Sequence, residues 1–474
     1  MTFCIRKKNI GKFDSHNELY IRCLKNYTID NFRKQLKNVD WFKVILCDNV
    51  DTAWYEFKTM FTNAIDHVAP VKLKRLKQRT EPWFDHTILE SILERNHALH
   101  LFRLTGSSDL FDLYKDLRNK TQMLVKNAKE TYYSDKVYEF KNNPKNLWNT
   151  IKSVGIPSKK AKTSNSNISL EINGNIEFDK KVVSNEFNGF FTTIASNLVQ
   201  KLPTSTQKFS DCINFYFQKG IKPNSFKLSV VDEDQVLKLL NNINIHKATG
   251  LDSLPARFLK DGGPEIVTAF THLLNLSIHS SKVPSDMKSA RVVPLFKKQN
   301  KTHVGNYRPV SILSVASKIL EIVVHEQLQN HLDQNELLFQ HQSGFRPAYS
   351  TDTCLIHLTD HIKNEMDKGN ITGMVLIDLQ KAFDTVDHSI TMHKLQALGA
   401  DKATIEWFKS YLTGREQIVD VNGTHSTPQK INCGVPQGSI LGPLLFLCYV
   451  NDMQRAVNCK LLLYADDSAL IVPE

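Results

Sequence analysis

The chain has few of the residues that staple or anchor a protein. Eight cysteines are scattered over 474 residues, at positions 4, 23, 47, 212, 354, 433, 448 and 459. None forms a C-x-x-C pair, so a zinc site is not expected, and so long a chain has no need of a disulfide framework. Long apolar runs are missing too. The longest, "LLFLCYV" from Leu444 to Val450, is far too short to span a bilayer. The opening "MTFCIRKKNIGK" has no apolar core of the secretory kind. The expectation is an intracellular protein, nuclear or cytoplasmic, with no membrane partner. No internal repeat or low-complexity tract is visible, which argues against solenoids and fibres. Acidic residues are in deficit: 49 Asp and Glu face 60 Lys and Arg, for a net charge of +11. That imbalance favours a polyanionic partner, nucleic acid first and an acidic membrane surface second, with a merely basic soluble protein as the plainer alternative.

What is present divides into three stretches. Residues 1–82 read as mixed helix and loop and end in the basic run "VKLKRLKQRTEPW". Such a run is usually a solvated face; a phosphate contact is the sharper option. Residues 83–230 read as a helical linker region. There Leu110, Leu113, Leu117, Leu124, Ala128 and Tyr132 recur at helical spacing, and "LTGSSD" supplies the turn of a helical hairpin. The stripe marks its core, and Lys115, Arg118, Lys126 and Lys129 its basic outer side. "GIPSKKAKTSNSN" is a linker, and Asn173-Gly174 between alternating apolar residues predicts a β-hairpin over 168–178. A helix follows in "KVVSNEFNGFFTTIASNL", then a loop-like stretch over 203–226. A further helix starts at "DEDQVLKLLNNI", capped by Asp232 or Asp234. Residues 235–474 read as one α/β unit.

Two segments of that unit set acids where apolar strands meet turns. In "GMVLIDLQKAFDTVDH" the apolar run Met374–Ile377 ends at Asp378; in "KLLLYADDSALIVPE" Asp466 and Asp467 interrupt an apolar pair. If the two strands are neighbours, three carboxylates meet. Two unit charges about 4 Å apart repel by about 4 kcal/mol at an effective dielectric of 20. Such a cluster calls for a hard divalent cation, Mg²⁺, and two ions about 3.5–4 Å apart suit in-line phosphoryl transfer. The alternative is a plain turn, since Asp is a common turn residue.

Other segments keep company with these acids. "CGVPQGSILGPLLFLCYVNDM" (433–453) is a Gly/Pro loop entering an apolar helix; its glycines allow close approach to a base pair or sugar, and Gln437 can donate and accept. "HQSGFRPAYST" (341–351) places Arg346 in a turn, where a guanidinium suits a triphosphate and a surface ion pair is the alternative. "RVVPLFKKQNKTHVGNYRPVSILSVASKILE" (291–321) has a strand, a basic turn with Lys297, Lys298 and Lys301, and then a helix. Phosphate contacts suit Lys297, Lys298 and Arg308.

In order, "NYRPVSILSVASKILE", "QSGFRPAYST", "VLIDLQKAFDTVDH", "GVPQGSILGPLLF" and "YADD" resemble the successive blocks of reverse transcriptases from non-LTR (LINE-type) retrotransposons, in the jockey-like group. The resemblance covers roughly residues 235–474. It implies an α/β (α+β) right-hand polymerase, with fingers and a partial palm preceded by a mainly helical N-terminal region. It also implies an RNA-directed DNA polymerase that uses Mg²⁺, an element RNA template, a DNA primer or target, and dNTPs. By matched position, Asp378, Asp466 and Asp467 would be the metal-binding catalytic acids. Phe383 would be the gate against a ribose 2′-hydroxyl, with the backbone of Lys381, Ala382 and Phe383 near the triphosphate. Gln437 and Gly438 would pack on the nascent base pair, and Arg346 would hold triphosphate. Asp384 and Asp387 are read as structural or as supports for the residues that touch substrate and metal. No endonuclease pattern is seen in the first 230 residues, and the sequence stops just past the YADD block. A fragment without a thumb is therefore expected. The alternatives are an inactive nucleic-acid-binding remnant, or another right-hand polymerase such as an intron maturase.

Overall fold

The computed structural model describes residues 18–75, 81–155, 168–200 and 224–473. The stretch 203–223, the linker residues 156–167, and Lys77 and Arg79 lie outside the described residues. Contacts divide the chain into two compact units, one built on residues 18–21 and 71–155 and the other on 22–70 together with 168–473. Among the described residues no helix is long and apolar enough to cross a membrane.

The smaller unit contains a two-stranded sheet of β1 (Glu18–Arg22) and β2 (Val71–Arg75), and a helical hairpin. The helices run His86–Thr105 and Ser108–Glu139, and a third follows at Pro144–Gly155. Asp85 caps the first by accepting from the Ile88 N–H. Gly106 ends it in the left-handed conformation (φ 69°) that a glycine adopts without penalty. The expected leucine stripe differs from a core. Leu113 is exposed, and the buried residues of the two helices are Ile88, Ser91, Ala98 and Thr121, with the Ser91 and Thr121 hydroxyls 2.8 Å apart. A two-helix hairpin has no third layer to cover a wide apolar face, so its stripe stays half-buried.

In the larger unit, helices Ile29–Lys37 and Val50–Val68 pack on helix Gly263–His279. They bury Phe32, Leu36, Trp54, Phe57 and Phe61 in the core that holds Phe258 and Phe270, with Phe57 and Phe270 rings 5.4 Å apart. This differs from the division expected at residue 82. Five large apolar side chains, indistinct in sequence, find their cover more than 200 residues away, and burial of each is worth about 1.5–3 kcal/mol.

The predicted hairpin is β3 (Leu170–Ile172) with β4 (Asn175–Glu177). Asn173 and Gly174 both take positive φ, as a tight turn of the primed kind needs. Helix Lys180–Val199 follows, and helix Glu233–Asn241 starts in a capping box of Asp232 and Gln235. β5 (Ser289–Phe296) and β6 (Tyr307–Ile312) make an antiparallel pair whose connection holds the lysines of the basic turn. Helix Val315–Gln334, helix Thr351–Asp367 and then β7 (Thr372–Asp378) come next. β8 (Arg415–Val421) pairs parallel to β5 and antiparallel to β9 (Thr424–His425) and β10 (Gln429–Ile431). Alternate β8 residues are buried, and helix Lys180–Val199 covers this sheet, with the Phe187 ring edge-on to Tyr307 at 4.9 Å. The last sheet has the order β11 (Lys460–Tyr464), β12 (Asp467–Pro473), β7.

Candidate functional site and its relatives

The acids are brought together by strand pairing. β12 lies between β11 and β7, and Asp467 stands directly opposite Asp378 in antiparallel register. Opposed residues in such a pair share one face of the sheet. Asp466 occupies the two-residue turn between Tyr464 and Asp467, following Ala465 at φ 56°. Asp378 and Asp466 border one cleft of about 440 Å³. No described residue donates a hydrogen bond to any of the three carboxylates or pairs with it as an ion.

Opposite the acids the cleft is cationic. Lys297, Lys298 and Arg308 reach it from the β5–β6 hairpin, and Lys381 from the turn after β7. Lys381 donates to the Tyr307 carbonyl at 3.3 Å, which ties that turn to β6. Burial lowers the Lys381 ammonium below the usual lysine range, with Lys297 and Arg308 adding to the effect and Asp384 opposing it. Lys381 has φ 54°, and its carbonyl accepts from the Asp384 and Thr385 N–H groups. The Ala382 and Phe383 amides meet no acceptor among the described residues. Phe383 is clamped, stacked on Phe446 at 4.7 Å and edge-on to Phe345 at 5.8 Å.

Gln437 lines the same cleft and donates through Nε2 to Asp384 Oδ1 at 2.7 Å. Burial pushes the Asp384 carboxyl up, and the Gln437 bond opposes that rise. The loop glycines do a different job from the one expected. A Cβ on Gly434 would come within 2.7 Å of the Asp384 carbonyl oxygen, and one on Gly438 within 2.5 Å of the Ser311 carbonyl oxygen. They let the loop thread between the Phe383–Val386 turn and β6, where Val435 N–H bonds to Phe383 O and Ser311 N–H to Gln437 O. Gly438 does not border the cleft.

Arg346 is not brought to the cleft. Its Nη1 donates to the Phe339 and Gln342 carbonyls, and its guanidinium lies 4.3 Å from the Tyr349 ring. Two neighbouring carbonyls inside its own turn capture the donors that the sequence reading offered to a phosphate. Sequence reading also passed over Glu321. This buried carboxylate accepts from the Ile440 N–H at 2.6 Å, and so anchors the loop where helix Leu441–Val450 begins. Its signal was an acid inside the apolar stripe of "SVASKILE".

Among the described residues no three acidic, histidine or cysteine side chains form a ready-made metal cage. The donor set nevertheless fits Mg²⁺. That ion keeps waters and binds through one or two carboxylates plus substrate phosphates, rather than through an all-protein cage. Asp378 and Asp466 border the cleft without partners among the described residues, and Asp467 faces Asp378 across the register.

Residues 296–474 match the family described as reverse transcriptase (RNA-dependent DNA polymerase). The chain is 30% identical over 256 residues to a probable RNA-directed DNA polymerase from transposon BS of Drosophila melanogaster, covering 52% of this chain and 28% of that protein. It is 28% identical over 256 residues to the RNA-directed DNA polymerase from mobile element jockey of the same species, again 52% and 28% of the two chains. A retrovirus-related Pol polyprotein from the R2 element of Popillia japonica is 25% identical over 183 residues, 38% of this chain and 25% of its own length. The chain thus matches under a third of the length of each of these relatives. Residues 296–474, which hold the opposed acids, the basic turn and the glycine-threaded loop, are thus similar to reverse transcriptases, and two of the relatives are RNA-directed DNA polymerases named for transposon BS and mobile element jockey.

Proposed function

We propose that this chain supplies the polymerase centre of an RNA-directed DNA polymerase of a mobile element, copying element RNA from a DNA primer with dNTPs. The observation that carries the reading is the register of Asp467 against Asp378 beside a cleft walled by Lys297, Lys298, Arg308 and Lys381. On this reading β7, β11 and β12 belong to the palm and the β5–β6 hairpin to the fingers. Asp378, Asp466 and Asp467 would hold divalent ions, whose chemistry there would be to acidify the primer 3′-hydroxyl and to offset charge on the leaving oxygen.

The protein's own groups bind and orient. The ammonium and guanidinium groups of the cleft neutralise a triphosphate, and the open Ala382 and Phe383 amides suit its oxygens. Phe383, immobilised between two rings, stands where a sugar 2′-position would be tested. Gln437, oriented by Asp384, offers its carbonyl to the incoming pair. Primer extension on an RNA template with Mg²⁺ and dNTPs tests the reading in the full chain. Synthesis that Asp378→Asn removes supports it; synthesis indifferent to that change assigns the site elsewhere. RNA binding that weakens steeply with salt, without extension, selects the binding remnant instead.

A further inference from the structure

A two-residue hairpin turn normally leaves its tip amide and carbonyl to water. Here the tip that carries Asp466 is not left so. Gln342 is 3% exposed, and its carboxamide takes both polar groups of Ala465. Oε1 accepts from the Ala465 N–H at 2.9 Å and from the Gly344 N–H at 2.8 Å, and Nε2 donates to the Ala465 carbonyl at 3.3 Å. The backbone beside it continues the grip. Ser343 N–H donates to Leu463 O and Leu463 N–H to His341 O, each at 2.9 Å, so residues 341–343 extend the sheet past β11.

Two neighbours make this grip specific. A Cβ on Gly344 would lie 2.1 Å from the Ala465 nitrogen, so only glycine lets the two backbones meet. Arg346 holds the Gln342 carbonyl and so closes the turn from behind. Ala465 itself has φ 56°, a conformation that a non-glycine residue keeps only where its surroundings over-determine it. The Gln342 carboxamide is the side chain that bonds to both of its polar backbone groups.

We infer that Gln342 is a positioning residue: it holds the Ala465 backbone in its left-handed turn and thereby sets Asp466 and Asp467 against Asp378. The inference rests on the polymerase reading above for its effect on turnover, but not for the grip itself. The carboxamide makes no bond to the cationic wall of Lys297, Lys298, Arg308 and Lys381, so dNTP capture is spared while acid placement is lost. A misplacement near 1 Å at a reacting centre costs about 10²-fold.

The test compares Gln342→Met, which keeps the volume and loses the hydrogen bonds, with Gln342→Glu, which keeps both acceptor bonds but replaces the weaker donor bond by an oxygen facing the Ala465 carbonyl. Both are made in the full chain. Amide exchange over residues 461–467 and Mn²⁺ affinity are read without turnover; kcat, KM for dNTP and the Mg²⁺ concentration at half-maximal rate are read with it. For Gln342→Met the expected result is faster exchange at Ala465, several-fold weaker Mn²⁺ binding, and kcat down about 10²-fold. KM for dNTP should stay within about twofold, since the Gln342 carboxamide bonds to the Ala465 and Gly344 backbone and not to nucleotide. Gln342→Glu should recover part of each loss. Unchanged exchange and Mn²⁺ affinity in folded Gln342→Met would overturn the inference. So would a loss that falls on KM rather than kcat. If Gln342→Met fails to fold, Gln342→Glu decides: wild-type values of exchange, Mn²⁺ affinity and Mg²⁺ requirement would again overturn it. A wild-type chain with protected Ala465 and Mn²⁺ binding but no extension counts against the polymerase reading alone.

Discussion

Two turns deliver acids to one cleft, and they are held in different ways. The turn after β7 runs through Lys381 at φ 54°, and the hairpin tip through Ala465 at φ 56°. The first is held by backbone: Val435 and Gly434 amides bond to Phe383 and Val386 carbonyls, with Gly434 and Gly438 removing the side chains that would obstruct them. The second is held mainly by one side chain, Gln342. Backbone support tolerates most side-chain changes but no added Cβ. Side-chain support fails when a single functional group is lost. The same chemistry therefore has two kinds of weak point, and substitutions can separate them.

The strongest break is at the acids themselves. Asp378→Asn should lower primer extension by at least about 10³-fold with the fold intact, since it alters a group assigned to hold the divalent ions. Extension within tenfold of the parent chain would dissociate β7 from the chemistry. Next is the backbone-held turn. Gly434→Ala adds a Cβ at 2.7 Å from a carbonyl oxygen and forces a side chain to φ 83°. A loss of about 3 kcal/mol in denaturant unfolding is expected. A loss below about 0.5 kcal/mol would mean that the threaded loop is loose.

Within the cleft, Phe383→Ala should weaken discrimination between dNTP and rNTP by about 10²-fold in kcat/KM, because Phe345 and Phe446 no longer hold a ring there. Undiminished dNTP preference would move the gate elsewhere. Asp384→Asn is a smaller, pH-dependent change. The folded carboxyl is raised above its unfolded value, so the folded chain binds the extra proton between the two values. Parent stability therefore falls as pH rises from the usual carboxylate range through the raised value. The asparagine variant lacks that fall and still accepts from Gln437. Its Tm should match or exceed the parent's at neutral pH, and the gap should close on acidification. A gap that widens on acidification would reverse the assignment. The smallest effect belongs to Ala465→Gly, which relieves the left-handed residue but frees the unfolded chain, for a net change within about 1 kcal/mol. Lys381→Gly should cost more than Ala465→Gly, because the Lys381 side chain also ties the turn to Tyr307.

Much of this was legible in local sequence. The Asn173-Gly174 hairpin, the Asp232 cap, the helical hairpin around Gly106 and the acid-tipped strands are decided by dihedral preference, capping and period within a few residues. The order of blocks pointed to the polymerase family before any contact was known. Other features were not legible because their partners are distant in sequence. Arg346 suited a phosphate in isolation but finds its acceptors at Phe339 and Gln342. Gly434 and Gly438 suggested an approach to substrate, yet the surfaces they approach are Asp384 and Ser311. Gln342 is one polar residue among several in "HQSGFRPAYST", and only its distance from Ala465 singles it out. Short-range geometry could be read from the order of residues because neighbouring dihedrals and turn chemistry set it. The grip on the hairpin, the placement of residues 22–70 and the neighbours of each glycine required the folded chain. They arise from contacts between segments about 50 to about 230 residues apart, whose pairing is set by packing and hydrogen-bond satisfaction of the whole.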